Sequence, residues 1–166
     1  MPPNDPMKAI HHVVHEYANF ISSAEMVLGA DTSGAVLTAP ANTHVAHAFY
    51  LNCRKMADFL QNRKDGDDVM AEHFIPGFTA SLTEYELRRR TLNKQLAHIS
   101  YRRDSPEEIT PAQQLALHDE IRKGWGEFRR QLQGGKYQTE FTEQVRIRQA
   151  PDAKGEPSEF RYYDLD

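Results

Sequence analysis

Residues 6–29, PMKAIHHVVHEYANFISSAEMVLG, place Ile10, Val13, Val14, Tyr17, Phe20, Ile21, Ala24 and Leu28 at intervals of three and four. That is the repeat of one face of an α-helix, whereas a half-buried strand would alternate every second residue. Asp5 supplies a cap and Pro6 occupies the first helical position, where a missing N–H loses no hydrogen bond. Gly29 is the expected end of this helix. An apolar stripe of this length has to be covered, so the fold depends on whether the rest of the chain offers matching helices.

It offers three. Residues 30–42, ADTSGAVLTAPAN, are small and turn-forming and read as a loop. A second helix is predicted from Asn42 or Thr43 to about Lys64, with Gly66 just past its end. Val45, Phe49, Met56, Phe59 and Leu60 define its apolar face, and Asn52 falls in the middle of that face. A buried amide needs partners, since leaving it unpaired costs about 1–3 kcal/mol, so Asn52 is read as a structural bolt, with part of a site as the alternative. Residues 65–80 suggest a short helical turn, then a loop broken by Pro76 and Gly77.

Ser81 with Glu84, and Thr83 with Glu86, have the spacing in which a hydroxyl caps a helix and the Glu reaches back, so a third helix is predicted from near Ser81. Tyr85, Leu92, Leu96 and Ile99 share one arc of it. Leu87, Lys94, His98, Tyr101 and Arg102 fall toward the opposite side, with Asn93 on the flank. Ser105–Pro106 or Thr110–Pro111 opens a fourth helix, striped by Leu117, Ile121, Trp125, Phe128 and Leu132 and stopped by Gly134 and Gly135. Gly124 and Gly126 inside it suggest a close helix contact. Residues 136–149, KYQTEFTEQVRIRQ, alternate and are read as extended, with a short helix as the alternative. The expected architecture is all-α, an up-and-down four-helix-type bundle over residues 1–150 followed by a partly irregular polar tail, residues 151–166.

At 166 residues the chain suits one domain with a real core. No stretch has the roughly 18–20 apolar residues of a membrane span and no secretion leader is legible, so a cytoplasmic location with no membrane partner is expected. The single cysteine, Cys53, lies on the apolar side of its helix and reads as a small buried hydrophobe. A net charge of −4 argues against a surface coated for nucleic acid, yet cations concentrate locally. Arg88, Arg89, Arg90, Lys94, Arg102 and Arg103 make the third helix region basic, and Arg122, Lys123, Arg129 and Arg130 do so in the fourth. Such faces can meet phosphates, or be solvated and paired with acids.

The segment Asn93-Lys94-Gln95-Leu96-Ala97-His98, following an earlier helix that reads AFYLNCRKMADFL, resembles the HEPN superfamily of small helical bundles. The resemblance covers roughly residues 7–133. It implies a metal-independent ribonuclease without cofactor, of the kind found in toxin–antitoxin and phage-defence systems, working as a homodimer with a composite site. RNA and a cognate antitoxin or other protein would be its partners. Carried onto this chain, the motif histidine falls on His98 and the polar position on Asn93, while Leu92 stands where the motif has arginine. Imidazole suits proton transfer at neutral pH, and metal-free RNA cleavage also needs a cation on the phosphate. Lys94 or Arg102, each a turn from His98, is the expected replacement clamp.

Two other readings stay open. Any exposed helix of a bundle can serve as a non-catalytic interaction surface for a second copy or another protein. The histidines of HHVVHE (His11, His12, His15, beside Glu16) and of THVAH (His44, His47) have spacings of three and four that allow metal binding from one helix face.

Overall fold

A computed structural model describes residues 6–33, 39–63, 68–96 and 109–149. The protein is all-α, with no strand among the described residues. Helix α1 spans Pro6–Ser33, α2 Ala39–Leu60, α3 Thr83–Leu96, α4 Pro111–Leu132 and α5 Gln138–Gln149, with a 3-10 turn at Ala71–His73. Among the described residues, no helix is long and apolar enough to cross a membrane.

Helices α1 and α2 run antiparallel. Asn52 Nδ2 donates to the Asn19 carbonyl and to Ser23 Oγ, both at 3.1 Å, while Lys55, one turn later, reaches back to Glu16 at 2.9 Å. Ser23 in turn donates to the Phe20 carbonyl at 3.0 Å, so the polar group in the middle of the α2 apolar face is satisfied within the core. Asn52 is the structural bolt its position implied.

Helix α4 lies across both. Tyr17 stacks on Trp125 at 4.3 Å and Phe20 on His118 at 5.6 Å, so α4 is antiparallel to α1. On the other side, Gln114 Nε2 donates to Tyr50 Oη at 2.8 Å and Phe59 meets Phe128 edge-on at 5.2 Å. The expected stripe Leu117, Ile121, Trp125, Phe128 and Leu132 is buried. Of the two candidate starts, the structure uses Thr110–Pro111: Thr110 Oγ1 accepts from the Gln113 N–H while Gln113 Oε1 accepts from the Thr110 N–H. Ser105 and Pro106 lie outside the described residues. Gly124 is the tight contact, because an added Cβ would stand 3.2 Å from Leu60 Cδ1, whereas one at Gly126 would meet nothing within 4 Å.

Four local readings are corrected. Helix α1 passes through Gly29 to Ser33, since one glycine weakens a helix by only about 1 kcal/mol and does not end it. Helix α2 begins at Ala39, so the long connection shrinks to residues 34–38, outside the described set. It also ends at Leu60, short of Lys64. Asn62 takes the left-handed conformation, φ 56°, that a C-terminal glycine usually supplies. Its side chain stabilises the turn by donating to the Phe78 carbonyl and accepting from the Glu72 N–H at 2.8 Å. Gly66 lies outside the described residues.

The fourth correction is at residues 138–149, which form helix α5 instead of an extended segment. Tyr137, Phe141 and Val145 are all buried, one helical turn apart, and pack on a ring cluster with Phe74, Phe128 and Trp125. Burial of those three side chains overrides the weak helix preference of the intervening threonines. Helices α4 and α5 both lean on α1 and leave a cleft between them. Residues 1–5 and the tail 150–166 lie outside the described set.

Candidate functional site

The third helix is oriented by a residue of the fourth. Both carboxylate oxygens of Glu120 accept backbone hydrogen bonds, from the Glu84 and Tyr85 N–H groups, each at 2.9 Å. This fills the orphan donors of the first turn of α3, and the negative charge suits the positive end of the helix. Helix α3 starts at Thr83 with its cap coming from α4, not from the Ser81 or Thr83 hydroxyls that the local spacing favoured.

That orientation sends Tyr85 and Leu92 fully into the core and leaves Leu87 70 % exposed. Leu92 occupies the position where the resembling motif has arginine, and a guanidinium there would be buried without water. Asn93 and Lys94 are exposed beside it, as is Arg90. Arg88 pairs with Glu84, and Arg89 reaches Glu86 at 3.8 Å. Arg90 and Lys94 have no acidic partner among the described residues. His98 and Arg102, together with Ile99 and Tyr101, lie outside the described residues, so of the four expected site residues the structure places Asn93 and Lys94.

Among the described residues, no group of three or more His, Cys, Asp or Glu side chains is placed to hold a metal ion. His11 and His12 contact each other, with ring centroids 3.7 Å apart, and His15 has its pKa lowered first by burial and then by nearby Arg148. His73 Nδ1 accepts from the Met70 N–H at 3.3 Å, a structural use. Cys53 is buried, and burial pushes its thiol well above the usual range, so it is the inert hydrophobe its position suggested.

Two concavities stand out among the described residues. One, of about 410 Å³, lies between α1, α2 and residues 68–69. Its rim charges neutralise one another: Lys55 with Glu16, Arg54 with Asp58 at 3.4 Å, and Arg63 with Glu86. Tyr85 Oη also donates to Asp58 at 3.3 Å, yet burial dominates and raises the Asp58 pKa.

The other is the cleft of about 480 Å³ between α4 and α5, backed by α1. Arg122, Gly126, Arg129 and Gln133 follow one another along α4 at intervals of four, three and four, which puts them on one ridge facing the cleft. Gln138 and Thr142 come from α5. Tyr17, Trp125 and Phe141 form the apolar wall. The Tyr17 hydroxyl is hydrogen-bonded to Arg122, and burial pushes its pKa up to about 12, so this wall carries no negative charge at neutral pH. The arginines of α4 are legible in the sequence but the cleft is not, because its second wall exists only once residues 138–149 are helical.

No family model matches this chain, and no curated protein or solved structure matches it either. The likeness to HEPN bundles therefore gains no support from known proteins, and function has to be read from the residues themselves.

Proposed function

We propose that this protein is a helical RNA-binding factor whose α3 side meets backbone phosphates. The observation that supports the reading is the pair of exposed cations, Arg90 and Lys94, that have no acidic partner among the described residues and flank exposed Asn93. Cations already held by carboxylates have little left to offer a phosphate, whereas free ones release condensed counterions from the nucleic acid when they bind it. The sequence beyond Leu96 adds His98, Arg102 and Arg103 to the same stretch. In this reading Arg90, Lys94 and Arg102 contact phosphate, Asn93 hydrogen-bonds sugar or phosphate, and His98 is the one group suited to proton transfer near neutral pH. Leu92 keeps the helix in register by filling the core and does not touch the ligand.

The experiment is binding and cleavage of a labelled single-stranded RNA pool by the wild type, Lys94→Glu and His98→Ala, each with and without EDTA. RNA binding that Lys94→Glu weakens supports the reading. Cleavage that survives EDTA and vanishes in His98→Ala adds metal-free nuclease activity to it. RNA binding that is absent, or unchanged in Lys94→Glu, overturns it.

A further inference from the structure

The cleft between α4 and α5 has a chemistry that the α3 reading does not use. Among the described residues its lining contains three guanidinium groups, Arg122, Arg129 and Arg130, and no acidic side chain. That is unusual on a protein with a net charge of −4, where a groove picked at random would mix signs as the α1–α2 groove does. The three arginines differ in how they are held. Arg122 is tied to the Tyr17 hydroxyl, and Tyr17 is itself fixed by its stack on Trp125. Arg130, on the rim, pairs with Glu127. Arg129 is half-buried and has no acidic partner among the described residues.

Guanidinium groups in a partly desolvated recess are matched to phosphate, whose oxygens accept paired N–H donors and whose charge is least screened where water is excluded. Gln133 on the same ridge, and Gln138 and Thr142 on the facing wall, add neutral donors. The aromatic wall is not a base-stacking platform, because Tyr17 and Trp125 are buried and their faces are stacked on each other, 15° from parallel. Recognition therefore falls on the anionic group. A volume of about 480 Å³ lies within the range of about 300–1,000 Å³ usual for small-ligand sites. The buried indole N–H of Trp125, in the same wall, has no acceptor among the described residues. Gly126 lies between Arg122 and Arg129 on the ridge, and space is open where its side chain would be.

We infer that this cleft is a phosphate-binding site, separate from the α3 face, in which Arg122 and Arg129 hold the phosphate of a nucleotide or of an RNA strand. Arg129 is the principal ligand and Tyr17 the positioning residue for Arg122. The inference stands independently of the α3 reading.

The test is calorimetric titration of the purified full chain with pyrophosphate, with a nucleoside monophosphate and with a short single-stranded RNA. Variants are Arg129→Ala, Gly126→Leu, which fills the cleft from a position with room for a side chain, and Lys94→Glu as a control on the other face. Thermal unfolding of each variant checks that the fold is kept. Expected is pyrophosphate binding by the wild type and by Lys94→Glu, weakened on the order of tenfold in Arg129→Ala and abolished in Gly126→Leu. Tight mononucleotide binding would assign the free nucleotide as ligand; an RNA affinity that falls in the cleft variants would assign the strand. If RNA affinity falls only in Lys94→Glu while pyrophosphate binding falls only in the cleft variants, two sites exist. Wild-type protein that binds neither pyrophosphate nor nucleotide and whose RNA affinity is unchanged in the cleft variants, or binding of every probe unaffected by both cleft variants, overturns the inference whatever becomes of the α3 reading.

Discussion

Removing the Glu120 carboxylate should loosen α3 specifically, and the size of the effect follows from its two hydrogen bonds. The carboxylate accepts from the Glu84 and Tyr85 N–H groups at 2.9 Å each, in a half-buried position. A hydrogen bond to a charged partner contributes about 1.5–3 kcal/mol when shielded and less when water competes, and the charge at a helix N-terminus adds about 0.3–1 kcal/mol. Allowing for partial exposure, Glu120→Ala should cost about 3 kcal/mol. Glu120→Gln keeps one acceptor oxygen and should cost about half as much. For a chain of 166 residues the alanine variant should melt about 6–12 °C lower. The assay is urea unfolding followed by far-ultraviolet circular dichroism and by fluorescence of Trp125, the single tryptophan, which is buried against Tyr17. Glu120→Ala within about 0.5 kcal/mol of wild type would mean that the carboxylate does not hold α3, because an ordinary surface substitution does no more.

Other outcomes follow from the same packing. Gly126→Ala should stabilise by about 0.5–1 kcal/mol, since it removes backbone freedom where no neighbour stands within 4 Å. Gly124→Ala, crowded at 3.2 Å by Leu60 Cδ1, should gain less, and an equal gain in urea unfolding would contradict the tight contact. Asn52→Ala should cost about 1 kcal/mol through loss of the bolt between α1 and α2, measured in the same urea unfolding. His118 is stacked on Phe20 and its pKa is lowered first by burial. The unfolded chain thus takes up its proton first as pH falls, so stability present above the ordinary imidazole pKa should decline below it, and His118→Gln should flatten that decline. Asp58 has the opposite sign for a carboxyl: burial raises its pKa, the folded state binds the proton more tightly, and acidification through that range favours folding at this site. Asp58→Asn should remove this contribution from the pH profile of stability.

Local patterns account for most of the fold. In α1 and α4 the apolar period is clean, and Thr110 with Pro111 and Gln113 supplies a start signal readable within four residues. Where local signals fail, long-range interactions replace them. Nothing near Ser81 announces that its helix is capped by Glu120, and nothing near Leu60 announces that Asn62 will turn the chain while holding Phe78 and Glu72. Tyr137, Phe141 and Val145 do carry a helical spacing, but Thr139, Thr142 and Ile147 blur it toward alternation, and only the ring cluster decides between the two. The candidate sites divide in the same way. The opposite placement of Leu92 and Lys94 is legible from the angle per residue alone. The arginine cleft is half legible, as a stripe on α4, because its other wall depends on α5.

RNA binding through α3 is tested most directly by the salt dependence of affinity for a labelled single-stranded RNA, measured by fluorescence anisotropy for the wild type and for Lys94→Ala combined with Arg90→Ala. Removing one cation from a phosphate should reduce the slope of log affinity against log salt by about 0.7. Affinity of the wild type should therefore fall with salt, and the double variant should show a slope shallower by about 1.4 with the fold unchanged. A wild type that does not bind, or a double variant with an unaltered slope, would contradict phosphate recognition by α3.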